Sequence, residues 1–115
     1  MAENITVISG ETLEPIDAVT GERVQMLVFS ATWCGPCKAM APAIEDVARE
    51  YADSVAVAKI DIEASPELAK QFDVRGVPTL IVRRGGQQID RHVGSQSRTR
   101  LALMLDQAVE GGAAA

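Results

Sequence analysis

The chain has only two cysteines, Cys34 and Cys37, which are separated by Gly35 and Pro36. A bridge over so short a loop stabilises a fold by only about 2 kcal/mol in the chain-entropy model, less than a longer loop does. The first residues carry no basic and apolar leader, so we expect a cytoplasmic, reducing setting, where a permanent structural disulfide is rare. The pair is therefore better suited to redox chemistry than to structural cross-linking.

The position of the pair explains how it would work. Cys34 is predicted to lie where a buried strand ends and a helix begins, and free backbone N–H groups and the helix dipole favour a thiolate there. The thiolate is the form that attacks a disulfide. Cys37 follows one helical turn later on the same face, so it can attack a mixed disulfide at Cys34. Pro36 suits the first turn of the helix, and Gly35 leaves the backbone open to a peptide.

The apolar pattern predicts strands and helices that alternate along the chain. Strands are predicted over 5–9, 24–30, 55–62, 79–83 and 88–93, with a hairpin turn at 84–86. Helices are predicted over 11–20, from 37 to 51, over 65–72 and from Ser97 onward. Thr12, Ser65 and Ser97 are the predicted helix caps, and Pro42 lies inside the second helix.

The predicted order is β-α-β-α-β-α-β-β-α, which indicates an α/β fold. Strands joined through helices pair in parallel, whereas the closing hairpin is antiparallel. We therefore expect a central mixed β-sheet flanked by helices on both faces, with the cysteine pair at the carboxyl end of a strand. One domain is expected over residues 1–110, followed by a flexible tail over 111–115.

Three stretches of the sequence resemble the thioredoxin family. Residues 29–38, with the sequence FSATWCGPCK, resemble its active-site segment, RGVPT at 75–79 resembles a second signature, and VG at 93–94 a third. The likeness covers about residues 5–110. It implies the thioredoxin fold and a dithiol that reduces protein disulfides, with Cys34 as the nucleophile and Cys37 as the resolving thiol.

The resemblance also implies a cis bond between Val77 and Pro78 and a groove that binds the substrate. From the residues alone, a trans proline that starts a strand is an equally good interpretation of Pro78. A cis bend could present the backbone of Val77 to an extended substrate, as in strand addition. The groove would be formed by Trp33, Gly35, Pro36, Val77, Pro78 and Gly94.

The sequence departs from the family pattern at Val28, where thioredoxins usually carry a buried Asp. In the family that carboxylate, with a lysine matched here by Lys59, is thought to help deprotonate the resolving cysteine. Because Val28 accepts no proton, we expect slower turnover but a more stable fold. Lys59 has three open roles: a charge that favours the thiolate, a desolvated base, or a side chain that only extends to water.

Composition argues against several other functions. The formal net charge of -5 is unfavourable for a nucleic-acid partner, and no apolar run reaches the roughly 18 residues that suggest a membrane span. A tetrahedral zinc site needs four ligands, and His92 is the only obvious candidate besides the cysteines. We therefore expect no metal, no membrane span and no nucleic acid.

Three functional classes remain for the pair. The leading one is a dithiol carrier that reduces protein disulfides, the second is a thioredoxin-like binding or chaperone module with weak turnover, and the third is an oxidase or isomerase. A cytosolic setting favours reduction. By resemblance, no cofactor is bound and electrons come from NADPH through a flavoprotein reductase. The expected partners are that reductase and proteins containing disulfides, and the chain is expected to be a cytoplasmic monomer.

Overall fold

The computed structural model describes residues 4–114, with side chains through Glu110. Over this range the elements follow the predicted order. They are β1 (Ile5–Ile8), α1 (Glu14–Thr20), β2 (Val24–Ser30), α2 (Gly35–Glu50), β3 (Val55–Asp61), α3 (Pro66–Gln71), β4 (Thr79–Arg84), β5 (Gln87–Val93) and α4 (Arg98–Ala114).

The five strands form one mixed sheet in the order β1-β3-β2-β4-β5. β3 is parallel to both β1 and β2, whereas β4 is antiparallel to β2 and to β5. Apolar side chains of the sheet pack against α2 and α4 on one face and against α1 and α3 on the other. The predicted α/β fold with helices on both faces is confirmed.

β2 lies at the centre of the sheet and carries the cysteine pair at its carboxyl end. All seven of its residues are buried, because it has a strand on each side and helices on each face. Met26 and Val28 point toward α2 and α4, while Leu27 and Phe29 point toward α1 and α3. Because neighbouring strands and helices surround β2, the position of its carboxyl end, where α2 begins, is fixed.

Some predicted boundaries and caps were wrong. α1 begins at Glu14 rather than Glu11, and its N-cap is Leu13 without a side-chain hydrogen bond; Thr12 lies before that cap and accepts a hydrogen bond from the Glu14 N–H instead. The β4–β5 turn is one residue shorter than predicted. Gly85 and Gly86 form it with φ of 58° and 82°, because a two-residue hairpin turn of type I′ needs positive φ at both positions.

The remaining predicted caps differ in outcome. Ser97 does cap α4, since its Oγ accepts a hydrogen bond from the Arg100 N–H at 3.1 Å. Ser65 stands at the N-cap of α3 as predicted, but its hydroxyl donates to the carbonyl of Gly10. The free N–H groups of α3 are bound instead by the carboxylate of Glu11, at 3.1 Å from the backbone nitrogens of Glu67 and Leu68.

The carboxyl end of the chain continues the last helix. α4 runs to Ala114 and so includes four of the five residues predicted as a tail. Ala115 lies outside the described residues, and the flexibility of residues 111–115 stays a prediction, as does the domain boundary at 110.

Polar contacts join the ends of α2 and α4. The Tyr51 hydroxyl, just after α2, donates to Asp106 Oδ1 at 2.8 Å. This hydrogen bond, together with burial and the negative charge of the carboxylate, raises the pKa of Tyr51 above its ordinary value of 10.0. Arg98 forms ion pairs with Asp46 and Glu50 of α2. The two helices on this face of the sheet are therefore connected by hydrogen bonds as well as by the core.

We expect Tyr51→Phe to lower the free energy of unfolding near neutral pH by about 0.5–1.5 kcal/mol, because it removes a hydrogen bond to Asp106 that is exposed to water. The native state holds the phenolic proton more tightly than the unfolded chain, so this stabilisation is present below pH about 10 and is lost as the pH rises through the raised pKa. Urea unfolding of both proteins, near pH 7 and at a pH above the raised pKa of Tyr51, measures the difference. A difference that is the same at both pH values would contradict the role of the Tyr51–Asp106 bond.

Candidate active site

Cys34 and Cys37 lie at the junction of β2 and α2. Cys34 is the N-cap of α2, with φ of −88° and ψ of 107°, and Gly35 is the first helical residue. The backbone N–H of Cys37 donates to the Sγ of Cys34 at 3.1 Å. The two cysteines are joined in a disulfide, with their Cα atoms 5.3 Å apart. The predicted placement of the pair at the start of a helix is confirmed.

The sulfurs lie in a small apolar cluster. Cys34 is 4% exposed and Cys37 9% exposed, and together with Ala31 they pack against Ile62 and Val77. The adjacent Gly35 and Pro36 are exposed, and a Cβ built on Gly35 would meet no atom within 4 Å. The backbone at the start of α2 is thus accessible although the sulfurs are almost covered.

The segment before β4 completes this side of the cluster. The Val77–Pro78 bond is cis, as the resemblance implies. Val77 is half-buried against the cysteines, whereas Pro78 is buried. The backbone N–H of Gly94, which has φ of 98°, donates to the Pro78 carbonyl at 2.8 Å. The fold therefore brings together residues that lie about 40 and 60 positions apart in the sequence.

Two large apolar side chains are exposed at this end of the molecule. Trp33 precedes the cysteine pair and Val93 precedes Gly94, and each is 64% exposed. Trp33 is among the predicted groove residues, whereas Val93 is not. The available signal was an apolar residue that ends a largely polar strand and precedes a glycine. The exposure of Val93 beside Gly94 is a property of the folded chain.

The predicted site also missed a contact that involves Met40. The N–H of Gln96 donates to the Sδ of Met40 at 3.4 Å, which connects the segment after Gly94 to α2. No local pattern indicates this contact, because the two residues are 56 positions apart.

Val28 and Lys59 lie on the other side of the pair. They are opposite each other in the register of β2 and β3. Both line a cavity of about 130 Å³ whose walls also include Cys37, Met40, Ile44 and Glu45. Val28 is 3% exposed, whereas Lys59 is exposed. That exposure is what the solvent-reaching interpretation of Lys59 predicts. The cavity is not lined by any of the predicted groove residues.

His92 stands apart from this site. Its Nε2 lies 3.1 Å from Asp90 Oδ2, and its side chain is half-buried on β5. Across residues 4–114, no three His, Cys, Asp or Glu side chains cluster in a way that could hold a metal ion. Among the helices described, none combines the length and the apolar character needed to cross a membrane.

Comparisons with known sequences point to one family. The family model described as thioredoxin matches residues 12–107. A thioredoxin of Staphylococcus aureus is 41% identical over 90 residues, which are 78% of this chain and 86% of that protein. A Mycobacterium leprae protein named bifunctional thioredoxin reductase/thioredoxin is 37% identical over 107 residues. Those residues are 88% of this chain but only 23% of the M. leprae protein.

Solved structures agree with the sequence comparisons. A mutant thioredoxin from Halobacterium salinarum superposes with a TM-score of 0.83 at 31% identity, covering 95% of each chain. Fasciola hepatica thioredoxin superposes with a TM-score of 0.81 at 30% identity, covering 90% of this chain and 98% of that one. None of these relatives favours the binding or chaperone module. With its disulfide-forming pair at the start of α2, this chain belongs to the thioredoxin family of thiol–disulfide oxidoreductases.

Proposed function

We propose that this chain is a monomeric, cytoplasmic electron carrier that reduces disulfides in proteins. Its electrons would come from NADPH through a flavoprotein reductase. The observation that carries the proposal is the position of Cys34 as N-cap of α2, with Cys37 one turn later and bonded to it. The M. leprae relative, whose name combines a thioredoxin reductase with a thioredoxin, supports the choice of electron donor.

In the first step, the thiolate of Cys34 attacks one sulfur of the substrate disulfide. A bond forms between Cys34 Sγ and that sulfur, and the other substrate sulfur leaves as a thiolate that takes up a proton. The exposed fractions of 4% and 9% do not identify the attacking sulfur. The backbone supports Cys34 as the attacking residue, because the N–H of Cys37 points at the Sγ of Cys34 and the start of α2 favours negative charge there.

In the second step, the thiolate of Cys37 attacks the Sγ of Cys34. The Cys34–Cys37 disulfide forms and the second substrate sulfur leaves as a thiolate, so two electrons pass to the substrate. The two protons given up by the cysteines balance those taken up by the two substrate thiols. The disulfide of this structure is therefore the product state, which the reductase would return to the dithiol with two electrons.

The substrate would bind across the exposed surface beside the pair. Trp33 and Val77 offer apolar contacts, and the open backbone at Gly35 and Pro36 leaves room for an extended peptide. Pro78 and Gly94 would act indirectly, because the hydrogen bond between them holds the backbone that positions Val77. A substrate segment beside Val77 could pair with its backbone, as in strand addition.

Lys59 would act on Cys37 through its charge. Both residues line the cavity beneath α2, and an ammonium group close to a thiol favours the thiolate. The exposure of Lys59 argues against a desolvated base. Val28 leaves the same cavity without a carboxylate at this position, so protons from Cys37 would leave through water rather than through a buried acid.

We expect Cys37→Ser to trap a disulfide between Cys34 and a protein substrate, because the resolving thiol is absent. Insulin incubated with the reduced variant and then analysed by mass spectrometry should show the covalent complex. The matched Cys34→Ser variant should form none and should not raise the rate of insulin reduction above that of dithiothreitol alone. If Cys34→Ser traps the complex and Cys37→Ser does not, the assigned order of attack is wrong.

We expect Val28→Asp to lower the free energy of unfolding by about 1–3 kcal/mol, because a carboxyl group enters a largely apolar cavity. The same change should speed insulin reduction, by as much as about 10²-fold, if the carboxylate takes the Cys37 proton. Urea midpoints and initial reduction rates measure the two effects.

Val28→Asn is the matched control, because it is polar and of similar size but accepts no proton at neutral pH. It should lose stability as the Asp variant does and gain no rate. Equal rates in Val28→Asp, Val28→Asn and the parent would remove Val28 from the mechanism.

A further inference from the structure

The loop that carries Val77 is held at its start by an arginine from the edge strand. This cis-proline loop, defined as residues 73–78, follows α3 and leads into β4. The guanidinium of Arg91, on β5, donates from Nη1 to the Phe72 carbonyl at 2.8 Å and from Nη2 to the Asp73 carbonyl at 2.7 Å. Two adjacent carbonyls are thus bound by one planar group, a geometry that an arginine fork supplies and a lysine does not.

The conformation at this point needs such support. Asp73 has φ of 55°, the only positive value at a non-glycine residue in the described chain. An L-residue pays a steric cost there, so the conformation persists only where its surroundings hold it. The ion pair between Asp73 and Arg75 is highly exposed, with side-chain exposures of 72% and 85%, and contributes little. Arg91 is the stronger partner, because its donors are charged and reach the backbone itself.

The residue that Arg91 binds is itself fixed on the core. The ring of Phe72 packs against Phe29 of β2, with centroids 5.8 Å apart. The guanidinium of Arg83, on β4, lies 5.6 Å from the centre of the same ring. Arg91 therefore binds the start of the cis-proline loop at Phe72, a residue whose ring is packed against the core.

The other end of the loop is held from the same strand. The N–H of Gly94, immediately after β5, donates to the Pro78 carbonyl at 2.8 Å. Thr79 closes the loop on itself, since its hydroxyl donates to the Gly76 carbonyl at 2.6 Å. Arg91 and Gly94 thus set the two ends of a six-residue span, and Val77 against the cysteines lies within it.

We propose that Arg91 is a positioning residue for protein substrates, which holds the backbone of the cis-proline loop where an extended, disulfide-containing peptide docks. The inference rests on the proposed function. Arg91 contacts neither cysteine and acts only through the loop. A protein disulfide must dock along that loop to react, whereas a small aromatic disulfide needs to reach only the sulfurs. The ratio of the rates on these two substrates therefore depends on the position of the loop.

The test compares Arg91→Met, which keeps the aliphatic stem but removes both donors, with Arg91→Lys and with the control Arg100→Met on the exposed face of α4. Each protein is assayed on insulin, with dithiothreitol as electron source. It is also assayed, after reduction and removal of the reductant, in a single turnover with 5,5′-dithiobis(2-nitrobenzoate), which the protein's own two thiols reduce. In Arg91→Met the ratio of kcat/KM for insulin to the second-order rate constant for the small disulfide should fall about threefold to tenfold, through a higher KM for insulin. Arg91→Lys should recover part of that ratio, and Arg100→Met should keep the parent value.

Hydrogen–deuterium exchange supplies a readout that does not depend on turnover. Amides of residues 74–77 should exchange faster in Arg91→Met than in the parent, while those of β2 should not change. Equal ratios and equal exchange in Arg91→Met and Arg100→Met would overturn the role of Arg91. Where Arg91→Met fails to fold, Arg91→Lys carries the same two measurements. A parent chain that does not reduce insulin would overturn the proposed function instead, and the exchange data would still decide the role of Arg91.

Discussion

The chemistry of this protein depends on one junction, where β2 ends and α2 begins with a sulfur as its cap. The N–H of Cys37 that binds Cys34 Sγ belongs to the first turn of α2, so the helix both orients the second cysteine and stabilises charge on the first. β2 cannot shift to relax this geometry, because it is buried along its whole length at the centre of the sheet. The core therefore keeps the backbone around the two cysteines rigid.

The second half of the site comes from distant parts of the chain. The cis-proline loop reaches the cysteines only because β4 pairs with β2, and β5 then supplies contacts to both ends of that loop. An edge strand with a largely exposed, polar sequence thus has a structural task beyond closing the sheet. Arg91 of β5 binds backbone carbonyls of the loop. Gly94, which follows the strand, donates its N–H from a φ that other residues rarely adopt.

Val28 stands where the family resemblance implies a buried acid, and we expect this difference to shift the balance between stability and turnover. An apolar wall beneath Cys37 avoids the desolvation cost of a carboxylate, but it removes a nearby proton acceptor. Lys59 remains beside this wall, on the neighbouring strand and open to water. The redox reaction does not need the acid for its electron balance, since both cysteines and the helix start are intact; only the route of a proton differs.

The sequence alone determined the element order, the mixed sheet and the place of both cysteines, because strand burial, helical periodicity and the Cys-Gly-Pro-Cys spacing are local signals. It did not determine that Glu11 caps α3, nor that Arg91 binds the carbonyls of Phe72 and Asp73. Those contacts join residues far apart in the chain, and a free donor or acceptor has many possible partners until packing selects one. Likewise, whether Lys59 is covered or reaches water depends on how far α2 extends over the sheet, which only the tertiary structure decides.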